Sequence, residues 1–190
     1  MANWCNTEYI FFGKEQDLKA CGEVINKFAF GNISQDDKKY STCQLIGREI
    51  GGSLDGQDAR NDFLQAEIET LNDGKTYLQT WTQTAWRPDH GLADKLCEKF
   101  NLTYLYYAEE PGCQINETND REGLFFPERF IVEQSSAETC TYIAEQELYS
   151  DISERTGKVC NDFESMEEII EDYNRENEND KITAMQIRVK

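Results

Sequence analysis

The chain has 190 residues, 38% of them hydrophobic and 12% aromatic, enough to bury a core, and this composition excludes a wholly disordered protein. Its 19 Lys and Arg stand against 37 Asp and Glu, a formal charge of −18. A field of that sign repels nucleic acid and anionic lipid headgroups and favours basic ligands, including a basic protein surface, although solubility alone is the plainer use of it.

The first strand-like run, Thr7-Glu8-Tyr9-Ile10-Phe11-Phe12, stops at Gly13. With no leader peptide read ahead of it, this strand is expected to begin the fold. Residues 14–28 place Leu18, Cys21, Val24, Ile25 and Phe28 on one helical face. Phe30-Gly31-Asn32 is expected to close that helix, with Gly31 or Asn32 in the left-handed conformation. Strand followed by helix is the first half of a split βαβ unit.

Residues 34–56 are polar and glycine-rich around Cys43-Gln44-Leu45-Ile46, which reads as a brief strand. Residues 58–71 repeat apolar side chains at Phe63, Leu64, Ile68 and Leu71, a helical spacing ended by Asn72-Asp73-Gly74. The stretch of about 31–74 therefore reads as an insertion carrying a helix. Residues 75–86 alternate, Tyr77, Gln79, Trp81 and Gln83 on one face and Leu78, Thr80, Thr82 and Thr84 on the other, and predict a strand. Pro88 suits the first turn of a helix whose stripe is Leu92, Ala93, Leu96, Cys97 and Phe100. A strand over 102–108 follows, then a turn at Glu109-Glu110-Pro111-Gly112 with Gly112 free to take positive φ, then a return strand over 113–117.

Phe130-Ile131-Val132 centres a strand over 124–133, with Pro127 confining its start to an edge or bulge. A helix over 145–156 stops at Gly157, and Ser165-Met166-Glu167-Glu168 has the capping-box pattern of a short helix through Tyr173. Residues 181–190 close the chain as a strand with Met185, Ile187 and Val189 on one face. The order predicts an α+β fold, a split βαβ sandwich with a mainly antiparallel sheet, an inserted helix and a C-terminal αβ extension. Strands 4–12, 77–84 and 102–108 share the sheet, helices 14–28 and 88–101 lie on one face, residues 1–134 form the core, and 135–190 form an extension packed on it.

Three short motifs carry a resemblance. Asn3-Trp4-Cys5-Asn6 near the start, Ala85-Trp86-Arg87-Pro88 between strand and helix, and Tyr106-Tyr107 followed by Glu110-Pro111-Gly112 occur in the order found in the Api-ninety-two-like family of phage and mobile-element proteins, which this chain resembles over residues 2–112. The resemblance implies a ferredoxin-like domain and no known activity. Its motif residues here are Asn3, Trp4, Cys5, Ala85, Trp86, Pro88, Glu110, Pro111 and Gly112. The chain departs from the pattern by inserting Ala108-Glu109 and by continuing with Cys113-Gln114-Ile115, and residues beyond Gly123 have no counterpart.

The candidates for chemistry are few. The seven cysteines, Cys5, Cys21, Cys43, Cys97, Cys113, Cys140 and Cys160, include no Cys-x-x-Cys pair. Reduced thiols in a cytoplasmic protein fit best, and no metal site is expected, since Cys97 and Cys113 with His90 lack paired-ligand spacing. His90, the one histidine, has Asp89 beside it at the start of a helix, where a general base or a Cys–His pair is conceivable, but no nucleophile motif accompanies it. Gly47, Gly51, Gly52 and Gly56 lack the Gly-Lys-Ser/Thr of a phosphate loop. Glu164, Glu167, Glu168, Glu171 and Asp172 crowd one segment without an EF-hand register, and read either as a solvated helix face or as an interaction surface for a basic partner. Trp4, Trp81, Trp86, Tyr77, Tyr104, Tyr106 and Tyr107 are expected to pack a sheet face against helices rather than stack bases, since no basic run accompanies them. No apolar run approaches the roughly 20 residues that cross a bilayer.

The functional expectation is a non-enzymatic, cofactor-free interaction module that binds a basic protein and neither nucleic acid nor membrane. The alternatives are a small-ligand-binding module with an aromatic-lined pocket or a hydrolase. The sequence assigns no oligomeric state.

Overall fold

The structure, a computed structural model, describes residues 3–31, 33–52 and 60–190. The fold is α+β, and the chain divides into two compact units, 1–119 and 120–190.

The first unit runs β1 (Trp4–Phe12), α1 (Glu15–Ala29), α2 (Thr42–Glu49), β2 (Asp62–Thr70), β3 (Thr76–Ala85), α3 (His90–Phe100), β4 (Thr103–Glu110) and β5 (Ile115–Thr118). Its strands lie in the order β2-β3-β1-β4-β5, each neighbouring pair antiparallel. Tyr9, Ile10 and Phe11 of β1 are all buried, as expected of a central strand that must satisfy two faces. The three helices pack on one face, where Tyr9 and Phe11 meet Leu18, Cys21 and Ile25 of α1, Leu45 and Ile46 of α2, and Leu92 and Leu96 of α3. The same face of β3 presents Thr80, Thr82 and Thr84, all buried. Their hydroxyls are satisfied: across the ladder Thr80 donates to the Gln65 carbonyl, Thr82 to the Thr7 carbonyl at 3.5 Å and Thr84 to the Cys5 carbonyl at 3.4 Å, and Thr84 also reaches the Arg87 carbonyl at 2.7 Å just beyond its own strand.

Residues 43–46 belong to a helix, not a strand: Ser41 caps α2 by accepting from the Gln44 N–H, while Gln44 Oε1 accepts from the Ser41 N–H. Residues 62–70 form an edge strand, not a helix. A bulge between Phe63 and Gln65 resets the alternation, so Phe63 and Ala66, three apart, both enter the core while Leu64, Ile68 and Leu71 are left exposed. The stretch expected as an insertion therefore supplies an integral strand of the sheet.

At the turn after β4, Pro111–Cys113 is a 3₁₀ turn and the residue at positive φ is Gln114, at 54°, not Gly112. α1 ends on Phe30 at φ −120°, and Gly31 is not left-handed. The alternative cap Asn32 lies outside the described residues, as do Gly56 of the glycine-rich stretch and the expected helix start at Asp58.

The second unit holds β6 (Phe130–Gln134), β7 (Ala137–Tyr142), α4 (Glu145–Thr156), α5 (Phe163–Glu176), β8 (Ile182–Gln186) and β9 (Arg188–Val189). The sequence reading assigns β6 to the first part of the chain, whereas the compact unit that contains it begins at Asp120. β6 is the central strand of the sheet β7-β6-β8. It begins at Phe130, three residues beyond Pro127, and Phe130 and Val132 pack with Leu148 and Ile152 of α4, Met166 and Ile169 of α5, and Ile182. β7, a polar strand with weak alternation, has no counterpart in the sequence reading.

α5 starts three residues earlier than the Ser165 pattern suggests. Asp162 is its cap, accepting from the Ser165 N–H at 2.8 Å, and Ser165 Oγ answers the Asp162 N–H at 3.2 Å. In the last segment the expected common face of Met185, Ile187 and Val189 does not form: Ile182 and Ala184 pack in the core cluster, Ile187 is buried where the strand is interrupted, and Val189 is exposed.

Candidate functional site

The three motif segments meet at one end of the first unit's sheet. Trp4 pairs with Ala85 in the β1–β3 ladder, and the Trp86 N–H donates to the Asn3 carbonyl at 2.9 Å. Glu110, 2% exposed, ends β4 and accepts from the Gly112 N–H at 2.9 Å and from the Cys113 N–H. A Cβ on Gly112 would lie 2.0 Å from Asn3 Nδ2, so any larger residue there must displace the Asn3 amide.

Hydrogen bonds from the Cys113 side chain, from the Gly112 and Cys113 backbone and from the Asn3 amide hold the Glu110 carboxyl below the usual carboxylate range. Burial pushes the Cys5 thiol up to about 11. Trp86, exposed, sits at φ 72°, a strained conformation for an aromatic residue. Pro88 follows in the linker before α3. The motif residues thus tie β1, β3 and β4 together.

On the helix side, His90 lies among three tyrosines. Its Nδ1 is 3.3 Å from the Tyr9 hydroxyl and its Nε2 3.8 Å from Glu117 Oε1, while the Tyr106 hydroxyl donates to Glu117 at 3.2 Å. Its ring centroid is 4.3 Å from that of Tyr106. Burial raises the Tyr9 and Tyr106 hydroxyls, Tyr106 further through Glu117, so both stay protonated. Asp89 caps α3 by accepting from the Leu92 N–H at 3.3 Å and accepts from Asn61 at 3.1 Å. The buried thiols of Cys21 and Cys43 are pushed up by burial, Cys21 to about 12, which removes nucleophilic character. This network joins β1, α3, β4 and β5 and explains the histidine as a packed, hydrogen-bonded group.

The face of the sheet turned away from the helices has a different character. Strand register places Trp81 opposite Glu8, and Glu8 opposite Tyr107, so one row across β3, β1 and β4 reads aromatic, carboxylate, aromatic. The next row is Gln83, Asn6 and Glu109. Asn6, Glu8, Trp81, Tyr107 and Glu109, with Leu64 at the β2 bulge, line a cleft of about 330 Å³.

Gln79 donates to Glu8 Oε1, and Gln83 donates to Asn6 Oδ1 at 3.3 Å, which orients both side chains from the neighbouring strand. No basic side chain lines the cleft among the described residues. Trp4, 42% exposed, lies on this same face. The expectation that the aromatic residues pack one face against helices therefore holds for Tyr104 and Tyr106 and fails for Trp4, Trp81 and Tyr107, for Tyr77, which shares the Trp81 face of β3, and for the exposed Trp86. Alternation along residues 77–83 put Trp81 on the face opposite Leu78, Thr80 and Thr82 without deciding which face is the core, and nothing in the sequence indicated Glu8, Glu109 or Leu64 as its neighbours.

The acidic segment lies on α5, whose Met166 and Ile169 face the core while Glu164, Glu167, Glu168 and Glu171 are exposed. Asp172 pairs with Lys158 and Arg175, both at 3.0 Å, and Glu171 with Arg175 at 3.5 Å. Among the described residues no group of three or more His, Cys, Asp or Glu could hold a metal ion, and no helix is long and apolar enough to cross a membrane. None of the seven cysteines is in a disulfide. Comparison of the chain with protein-family models, curated proteins and solved structures finds no match.

Proposed function

We propose that this protein is a non-enzymatic interaction module that binds a basic protein through the sheet face carrying Trp81, Glu8 and Tyr107. The observation that carries the reading is the cleft itself, in which two carboxylates stand among aromatic rings and, among the described residues, no cationic side chain lines it. Such a surface attracts a cation twice, through the carboxylates and through the ring faces, and the charge of −18 steers a basic partner toward it. The same carboxylates argue against nucleic acid, whose phosphates they would repel.

The finer description of the first unit as a ferredoxin-like split βαβ sandwich belongs to this proposal. It is supported by the order β2-β3-β1-β4, in which α1 and α3 each lie between two strands that flank a third. Kinship with the Api-ninety-two-like family, and with it a phage or mobile-element origin, is supported by the meeting of the three motifs at one sheet end. A cytoplasmic location is supported by seven unpaired thiols.

Titration of the whole chain with basic peptides, followed by tryptophan fluorescence, tests the reading. Binding should weaken steeply between about 50 and 500 mM salt, as screening of a charge-driven complex requires, and should be lost in Glu8→Gln. The rival, a small-ligand module, has in its favour that 330 Å³ suits a compact molecule. Salt-independent binding of a neutral aromatic compound in the cleft, with no basic peptide bound, would replace the first reading by the second.

A further inference from the structure

We infer that the group seated in the cleft is an arginine side chain of the partner, in preference to lysine or a quaternary ammonium; this inference rests on the proposal that the cleft binds a basic protein. Shape discriminates among cations of common charge. Any cation gains from the field of the two carboxylates, so charge alone does not discriminate. What discriminates is how the acceptors and rings are spaced.

Glu8 and Glu109 are diagonal neighbours, since Glu8 pairs with Tyr107 and Glu109 lies two residues further along β4 on the same face. Diagonal positions of that kind are separated by about 7–8 Å. A guanidinium presents five donors in one plane and reaches two acceptors at once, whereas an ammonium is a point that satisfies one carboxylate and leaves the other to water. Trp81 stands directly opposite Glu8, a spacing of about 4.5–5.5 Å between Cβ atoms. A flat cation held by Glu8 therefore lies within the roughly 6 Å range over which an indole face attracts it, with contact area that a tetrahedral ammonium cannot match.

The other occupants fit less well. A quaternary ammonium seeks a closed box of rings and donates no hydrogen bond, but this cleft has amide side chains, Asn6 with Gln83, and the second carboxylate between its aromatic walls. Gln79 occupies one oxygen of Glu8. A carboxylate accepts about four hydrogen bonds, so Glu8 keeps capacity for one arm of the fork and Glu109 offers sites for the other.

The experiment uses the whole chain and one peptide framework of neutral residues in which a single position is Arg, Lys, trimethyllysine or citrulline, with affinities from calorimetry at low salt. Arginine should bind at least tenfold tighter than lysine or trimethyllysine, and citrulline, which keeps the plane but not the charge, should lose at least a hundredfold. Glu109→Gln should shrink the preference for arginine over lysine to within threefold, and Glu8→Gln should abolish binding of both. Trp81→Phe, which keeps a ring and the strand, should weaken arginine more than lysine; thermal unfolding of each variant checks that the fold is retained.

Lysine or trimethyllysine binding as well as arginine, or an arginine preference indifferent to Glu109→Gln, overturns the inference and leaves the binding module standing. Failure of every charged peptide to bind overturns both.

Discussion

Asn3 and Gly112 lie so close that a Cβ on Gly112 would stand 2.0 Å from the Asn3 amide nitrogen and 3.0 Å from Glu110 Oε1. The amide can swing aside, but it then loses its hydrogen bond to Glu110. Gly112→Ala should therefore cost about 1–3 kcal/mol of stability, the usual range for forcing an atom into an occupied place. In an Asn3→Ala background the cost should fall to less than half. Urea denaturation of the four proteins of the cycle measures this coupling, and an equal cost in both backgrounds would refute the contact as its source.

Acid stability should depend on Glu110 and Asp120. The hydrogen bonds at Glu110 hold its carboxyl low; at Asp120 burial pushes the carboxyl up, but the Phe125 and Phe126 N–H groups, at 2.7 and 2.9 Å, outweigh it and also hold it low. A group depressed in the folded state contributes stability above its unfolded pKa, about 4, and loses it as pH falls through the folded value. Denaturation midpoints of the parent should fall with pH below about 4, and those of Glu110→Gln and Asp120→Asn should start lower at neutral pH and fall less. Parallel curves for parent and variants would contradict this.

Arg155 binds three elements of the second unit, donating to Asp151 at 2.6 Å, to Gln134 at 2.8 Å and to the Cys140 thiol at 3.3 Å. The paired side chains are only 12% and 19% exposed. Arg155→Met leaves the Asp151 carboxylate without its cation, though still hydrogen-bonded by Tyr142, and should cost about 2–3 kcal/mol, below the range of a fully buried pair. Adding Asp151→Leu should recover part of that loss, as measured by thermal or urea unfolding; a double variant less stable than the single would count against a stranded charge.

The thiols should label in order of exposure. Cys113 alone is exposed, Cys97 and Cys140 are half-buried, and Cys5, Cys21, Cys43 and Cys160 are buried. Cys113 should react first with a thiol reagent, and faster toward alkaline pH, because its hydrogen bond to Glu110 raises the thiol. All seven should react after unfolding without reductant. Mass spectrometry of the labelled protein reads both results, and fewer than seven labels would reveal a disulfide.

By itself the sequence determined the elements whose pattern is local. The stripes of α1 and α3, the alternation of β3 and the Gly157 stop of α4 each follow from residues within a few positions of one another, so 3.6- and 2-residue periods reveal them. The Ser41-to-Gln44 box of α2 was equally local, but β-branched and apolar neighbours gave it the look of a strand. Tertiary structure alone decided β2, because a bulge spoils its alternation and only pairing with β3 gives its backbone hydrogen bonds a destination. It also decided the site. Glu8, Trp81 and Tyr107 belong to three strands distant in the chain, and their meeting follows from ladder register, which no local pattern records.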